Sequence, residues 1–125
     1  MEFVRVEAKN EKAGCCEFDV CDIIQEYGVK GYRFCGVIPA VTGPSGKILE
    51  QILLFEDTGY TYRYARERVE ADNKKTGCSE FRDIEKVVND AMSGDYSACF
   101  GAVPVLMGPS GKILAVELYF ALWDD

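Results

Sequence analysis

Histidine is absent from this chain of 125 residues. Its absence removes the base of a Ser-His-Asp or Cys-His engine, histidine-ligated zinc and a histidine pH switch. Basic residues are scarce beside acidic ones, 14 Lys and Arg against 21 Asp and Glu, and the net charge of −7 repels a phosphate backbone. Nucleic acid is therefore not an expected partner. No apolar run approaches the roughly 20 residues that cross a bilayer, and the opening MEFVRVEAKNEKAG carries no basic-then-apolar leader. The expectation is a soluble, cytoplasmic protein with no membrane partner. Proline numbers only 4, and the hydrophobic fraction of 48% excludes collagen and disorder. No CxxC pair occurs among the six cysteines, which in this setting read as reduced thiols, with no metal and no cofactor expected.

What is present is organised by a duplication. GPSGKIL occurs at 43–49 and again at 108–114. The likeness extends upstream, VEAKNEKAGCCEF (6–18) against VEADNKKTGCSEF (69–81) and CGVIPAVTGPSGKIL (35–49) against FGAVPVLMGPSGKIL (100–114). The chain thus reads as a single domain, 1–125, made of repeat one (1–58) and repeat two (59–125). Neither half is a charged tail, with six basic against ten acidic residues up to Tyr62 and eight against eleven after it.

Each repeat reads as strand, helix, strand, strand. Period-two alternation puts Val4, Val6 and Ala8 on one face of the first strand and Phe3, Arg5 and Glu7 on the other. A helical stripe follows as Phe81, Ile84, Val87, Val88, Ala91 and Met92, with Ser79 as N-cap and Gly94 after the last apolar position; in repeat one the stripe is Phe18, Cys21, Ile24 and Val29. Pro presets the first corner and Gly the left-handed position of both GPSG turns, so each joins a hairpin. Pro39 and Pro104 mark an edge or bulge. A lone unit of this size cannot bury its sheet. The expected fold is α+β: two tandem βαββ repeats with pseudo-twofold symmetry, forming one mainly antiparallel sheet of about six strands with both helices on one face.

Parity along the last strand of each repeat sets a helix-facing side of Leu49, Leu53 and Phe55, matched by Leu114, Val116, Leu118 and Phe120. The opposite side is not polar, as a solvated sheet face would be. It carries Ile48, Ile52 and Leu54 in one copy and Ile113, Tyr119 and Trp123 in the other, with Tyr62 and Tyr64 of the neighbouring strand alongside. Either a ligand cavity or a second chain covers it. Glu117 falls inside this aromatic surface, where ring faces and a desolvated carboxylate favour a flat organic cation. Its plainer reading is a strand-edge acid in water, paired with Arg66 or Arg68. Arg68 and Glu70, which repeat Arg5 and Glu7, are either a cross-strand ion pair or charges that orient a ligand.

The remaining motifs have local explanations. GPSGKIL ends in Gly-Lys but lacks the spacing of a phosphate loop, and Pro44 removes a donor that such a loop uses. Cys21, Cys35 and Cys99 occupy the slots of Ile84, Phe100 and Phe34 and read as core residues. Cys15 and Cys78 precede the helices, where the dipole would favour a thiolate; tight packing at the turn is the favoured alternative. Glu17 and Glu80 are placed near the first turn by the same dipole.

In its order of elements along the whole chain, the duplicated βαββ pattern resembles the gyrase-inhibitor-like effector-binding domains. The resemblance implies a small-molecule site between the repeats, holding aromatic cations against a glutamate and rings, here Glu117, Tyr119 and Trp123. The functional expectation is a non-enzymatic, small-molecule-binding domain without catalytic or metal-ligating residues, its ligand met by Glu117, Tyr119, Trp123, Tyr62, Tyr64, Arg68 and Glu70, and the chain forming a homodimer. The alternative is a homodimeric protein-interaction module whose aromatic sheet face is the interface.

Overall fold

The computed structural model describes residues 1–10, 15–72, 79–94, 96 and 98–124. Its elements are β1 (Glu2–Glu7), β2 (Lys9–Asn10), β3 (Cys16–Glu17), α1 (Cys21–Val29), β4 (Tyr32–Thr42), β5 (Ile48–Asp57), β6 (Thr61–Glu70), α2 (Ile84–Met92), β7 (Ala98–Met107) and β8 (Ile113–Asp124). The fold is α+β, and every ladder is antiparallel. Among the described residues no helix is long and apolar enough to cross a membrane.

The strands form two sheets, ordered β1-β5-β4 and β2-β3-β7-β8-β6, and not the single sheet of about six strands that parity predicts. The division does not come from the local chemistry of β4, because β4 and β7 slip alike: between Phe34 and Gly36 and between Pro39 and Val41 in one, between Cys99 and Gly101 and between Pro104 and Leu106 in the other. β4 ends its sheet, whereas β7 takes the short β3 as its second neighbour beyond Pro104, at Leu106 and Met107. Corresponding pairings nevertheless recur in the two halves. Phe34 faces Phe55 and Gly36 faces Leu54, as Cys99 faces Phe120 and Gly101 faces Tyr119. Glu7 opposite Glu50 has its counterpart in Glu70 opposite Ala115. Both GPSG turns close alike: Gly43 N–H donates to Lys47 O at 2.8 Å and Gly108 N–H to Lys112 O at 2.9 Å.

The helices do not share one face. In β8, Val116, Leu118 and Phe120 point to one side and form a small core with Phe81, Ile84, Val87, Val88 and Met92 around α2. Ala115, Tyr119 and Ala121 point to the other side, into the main core, where Phe18, Val20 and Ile24 of the α1 region meet Phe34, Leu53 and Phe55 of the smaller sheet. Leu53 and Phe55 pack with α1 just as Leu118 and Phe120 pack with α2. The aromatic side of the larger sheet is thus closed by the N-terminal half of the chain itself. The corresponding side of the smaller sheet, with Ile52 and Leu54, stays open, and Phe3, Ile38 and Val41 on it are exposed.

Several local expectations shift accordingly. The second helix begins at Ile84 with Asp83 as N-cap, and Ser79 Oγ instead donates to Ile113 O at 3.0 Å. Val29 ends α1 in solvent, outside the apolar stripe. Leu49 is exposed near the β5 turn, not part of the helix-facing core. Glu17 lies on β3 and Glu80 in an isolated bridge with Asp72, so neither occupies a helix's first turn. Cys35 is half-buried, being the residue left out of register at the β4 bulge, with its thiol donating to Arg33 O at 3.4 Å; Cys99 is exposed although it keeps register opposite Phe120, and Cys21 packs against the main core. Cys78 lies outside the described residues.

Candidate functional site

The strands β6 and β8 bring the site together. Antiparallel register sets Arg66 opposite Tyr119 and Arg68 opposite Glu117, and side-chain parity sends all four to the face that the N-terminal half covers. The segment 17–19 continues β3 along the edge of β7, where Phe18 N–H donates to Val105 O at 2.8 Å, before the chain enters α1. Between that segment and β6 a cleft of about 270 Å³ remains, lined by Lys9, Glu17, Phe18, Asp19, Arg66, Arg68 and Glu117.

Glu117 forms its base. The residue is 4% exposed, so it is no strand-edge acid in water, although Arg66 is indeed its partner. Tyr119 Oη donates to Glu117 Oε1 at 2.8 Å, and Arg66 Nη1 donates to Glu117 Oε2 at 3.3 Å. Burial, then the bond to Glu117 and its charge, push the Tyr119 hydroxyl far above the ordinary tyrosine range, which keeps it a donor. The carboxylate raises the Arg66 pKa in turn. Above Glu117 the rim pairs opposite charges loosely: Lys9 with Asp19 at 3.7 Å, and Arg68 with Glu17 at 3.7 Å and Glu70 at 3.8 Å. Three cations and three carboxylates therefore line one small opening.

The other tyrosines lie elsewhere. Tyr62 and Tyr64 are buried in the main core, their rings meeting Phe100 edge-on at 5.6 and 5.9 Å. Tyr64 Oη accepts the Phe34 N–H at 2.8 Å, and Gln25 of α1 bonds both backbone groups of Tyr64 through its amide. These contacts hold α1 against β6 and do not line the cleft. Trp123 pairs with Tyr62 through the backbone; its side chain lies outside the described residues. Of the residues singled out by sequence, Glu117 and Arg68 thus line the cleft, Tyr119 and Glu70 are bonded to them from outside its lining, and Tyr62 and Tyr64 lie apart.

Lys9, Glu17 and Asp19 were invisible to pattern reasoning. Lys9 and Glu17 sit on the two-residue strands β2 and β3, with Asp19 just beyond, and segments so short carry no readable periodicity. Among the described residues no group of three metal-ligating side chains could hold an ion. No family model matches the chain, and neither a curated protein nor a solved structure matches it.

Proposed function

We propose that this protein is a small-molecule-binding domain whose site is the cleft above Glu117, and that its ligand is a small polar molecule carrying both a cationic and an anionic group. The observation that carries this reading is a nearly buried carboxylate whose second oxygen is met, among the described residues, by a half-exposed arginine. A charge-assisted bond to a desolvated carboxylate is worth about 1.5–3 kcal/mol, and Arg66 makes such a bond with a side chain that is itself half in water. A ligand cation can therefore replace Arg66 by making the same bond to Glu117, the released guanidinium regaining its hydration. Arg66, once released, joins Arg68 to receive the ligand's anionic group, and the charge of the cleft stays balanced. The rings of Tyr62, Tyr64 and Tyr119 are core residues, so the recognition rests on charge and not on ring faces. The volume, near the lower end of ligand sites at about 300 Å³, favours a molecule of amino-acid size.

The duplication fits this role. Two βαββ units with corresponding registers, read as tandem copies approximately related by a twofold, would supply one covered face with a charged site and leave the other face open.

Thermal-shift measurements against amino acids and guanidino acids, with aromatic cations and simple amines beside them, test the reading. A zwitterion is expected to raise Tm, and Glu117→Gln, which still accepts the Tyr119 hydroxyl, is expected to abolish the shift. If no zwitterion stabilises the protein, or if the stabilisation survives Glu117→Gln, the proposal fails.

A further inference from the structure

The outer face of the β1-β5-β4 sheet gathers several of the large hydrophobic side chains that are exposed among the described residues. Phe3 is 63% exposed and Ile38 46%, with Val41 also exposed and Ile52 and Leu54 half-buried between them. We propose that this face is the interface of a homodimer, with the twofold axis running along the central strand β5.

The arrangement of side chains points to a second copy as the occupant. Phe3, Leu54 and Gly36 form one row across the three strands, because Leu54 pairs with Phe3 on one side and with Gly36 on the other. The row has a protrusion at one edge and a hollow at the other: a Cβ built at Gly36 would meet nothing within 4 Å. A twofold along β5 exchanges the two edges. It sets Phe3 of each copy into the Gly36 hollow of its partner, with Leu54 on Leu54 at the axis, as an isologous contact requires.

The chain fills the matching hollow within itself. Gly101, whose place opposite Tyr119 corresponds to that of Gly36 opposite Leu54, has the Phe34 ring 3.8 Å from where a Cβ would stand. An aromatic ring over this glycine is thus how the covered face is closed, and Phe3 is the exposed ring available for the open one. The next row is compatible. Arg5, Ile52 and Ile38 align, so the aliphatic stem of each Arg5 lies over the partner's Ile38. Carboxylates brought toward the axis do not repel one another freely, since Glu50 is paired with Arg5 at 3.3 Å and Glu56 with Arg33. Two twisted sheets packed face to face with their strands nearly aligned is the ordinary sandwich geometry.

Sedimentation equilibrium of the full chain from low to high micromolar concentration tests this inference. A dimer of two 13.9 kDa chains is expected. Phe3→Glu and Ile38→Lys, both at exposed positions, should each weaken dimerisation by about tenfold or more, as losses at a central anchor do, with far-UV circular dichroism unchanged. Val29→Glu, exposed on the α1 side of the same sheet, should leave the dimer intact. A chain that stays monomeric throughout, a dimer indifferent to both face substitutions, or one broken by Val29→Glu overturns the proposal. Because the Glu117 cleft lies on the other sheet, ligand stabilisation is read separately in the same variants.

Discussion

Tyr64 carries two roles through one oxygen. Its ring fills the core beside Phe100, and its hydroxyl satisfies the buried N–H of Phe34. Tyr64→Phe keeps the ring and orphans that donor, so a loss of about 1–3 kcal/mol is expected in urea denaturation, more than the ring's unchanged packing would suggest. Burial pushes the Tyr64 pKa up to about 12, against about 10 in the unfolded chain. The unfolded state therefore releases its proton first. The stability contributed by the neutral phenol is complete below pH about 10 and is lost as pH rises toward 12. Tyr119, raised by the same burial and by Glu117, acts in the same direction. In an alkaline titration followed by tyrosinate absorbance, both are expected to ionise with unfolding, and Tyr64→Phe should remove part of that late rise. A Tyr64 signal that titrates near pH 10 in the folded protein would contradict this.

Two glycines show what an element gains by having no side chain. Gly28 lies in α1, where Ala would be favoured by up to about 1 kcal/mol of helix propensity. A Cβ there would stand 2.6 Å from Tyr62 O and 2.8 Å from the Tyr64 ring. Backbone cannot yield as a flexible side chain does, and overpacking costs about 1–3 kcal/mol, so Gly28→Ala should lower stability in spite of propensity. The paired turns allow a cleaner comparison. Gly46 and Gly111 have nearly the same positive φ, 84° and 87°, yet only Gly111 is crowded, its Cβ position lying 2.7 Å from Ser45 O of the other turn. Both alanine substitutions incur the same left-handed strain. Any excess loss in Gly111→Ala over Gly46→Ala, read as a difference in Tm, measures the contact between the hairpins, and equal losses would deny that contact. The turns themselves were legible in sequence because their chemistry is local. The contact between them was not, and neither was the close approach at Gly28, which depends on residues more than thirty positions away.

At the scale of the molecule, the main core draws on both halves. Phe34, Leu53 and Phe55 pack with Tyr119, Val103 and Val105, and Gln51 Nε2 donates across the sheets to Pro104 O at 2.8 Å. Neither half can lose this core alone, so calorimetry should record one unfolding transition, and two resolved transitions would refute that expectation. The helices differ within it. Ile24 and Gly28 of α1 are buried, while α2 has no buried residue. Hydrogen exchange should therefore protect α1 amides more strongly than those of α2, since local opening follows the burial it must undo.

By itself the sequence determined what depends on neighbours along the chain: the α+β content, the matched hairpin turns, an edge or bulge at Pro39 and Pro104, and the face parity that grouped Glu117 with Tyr119 and Arg68. Those properties follow from backbone chemistry and from periods of 2 and about 3.6 residues. Only the tertiary structure decided that the strands divide into two sheets and that one aromatic face is closed by α1 while its counterpart remains open. Corresponding residues in the two halves of the chain carry the same local code, and Leu54 and Tyr119 have no way of recording in sequence which of them will be covered. That difference arises from stacking one unit on the other, a non-local packing choice whose free energy depends on every element that meets at the core.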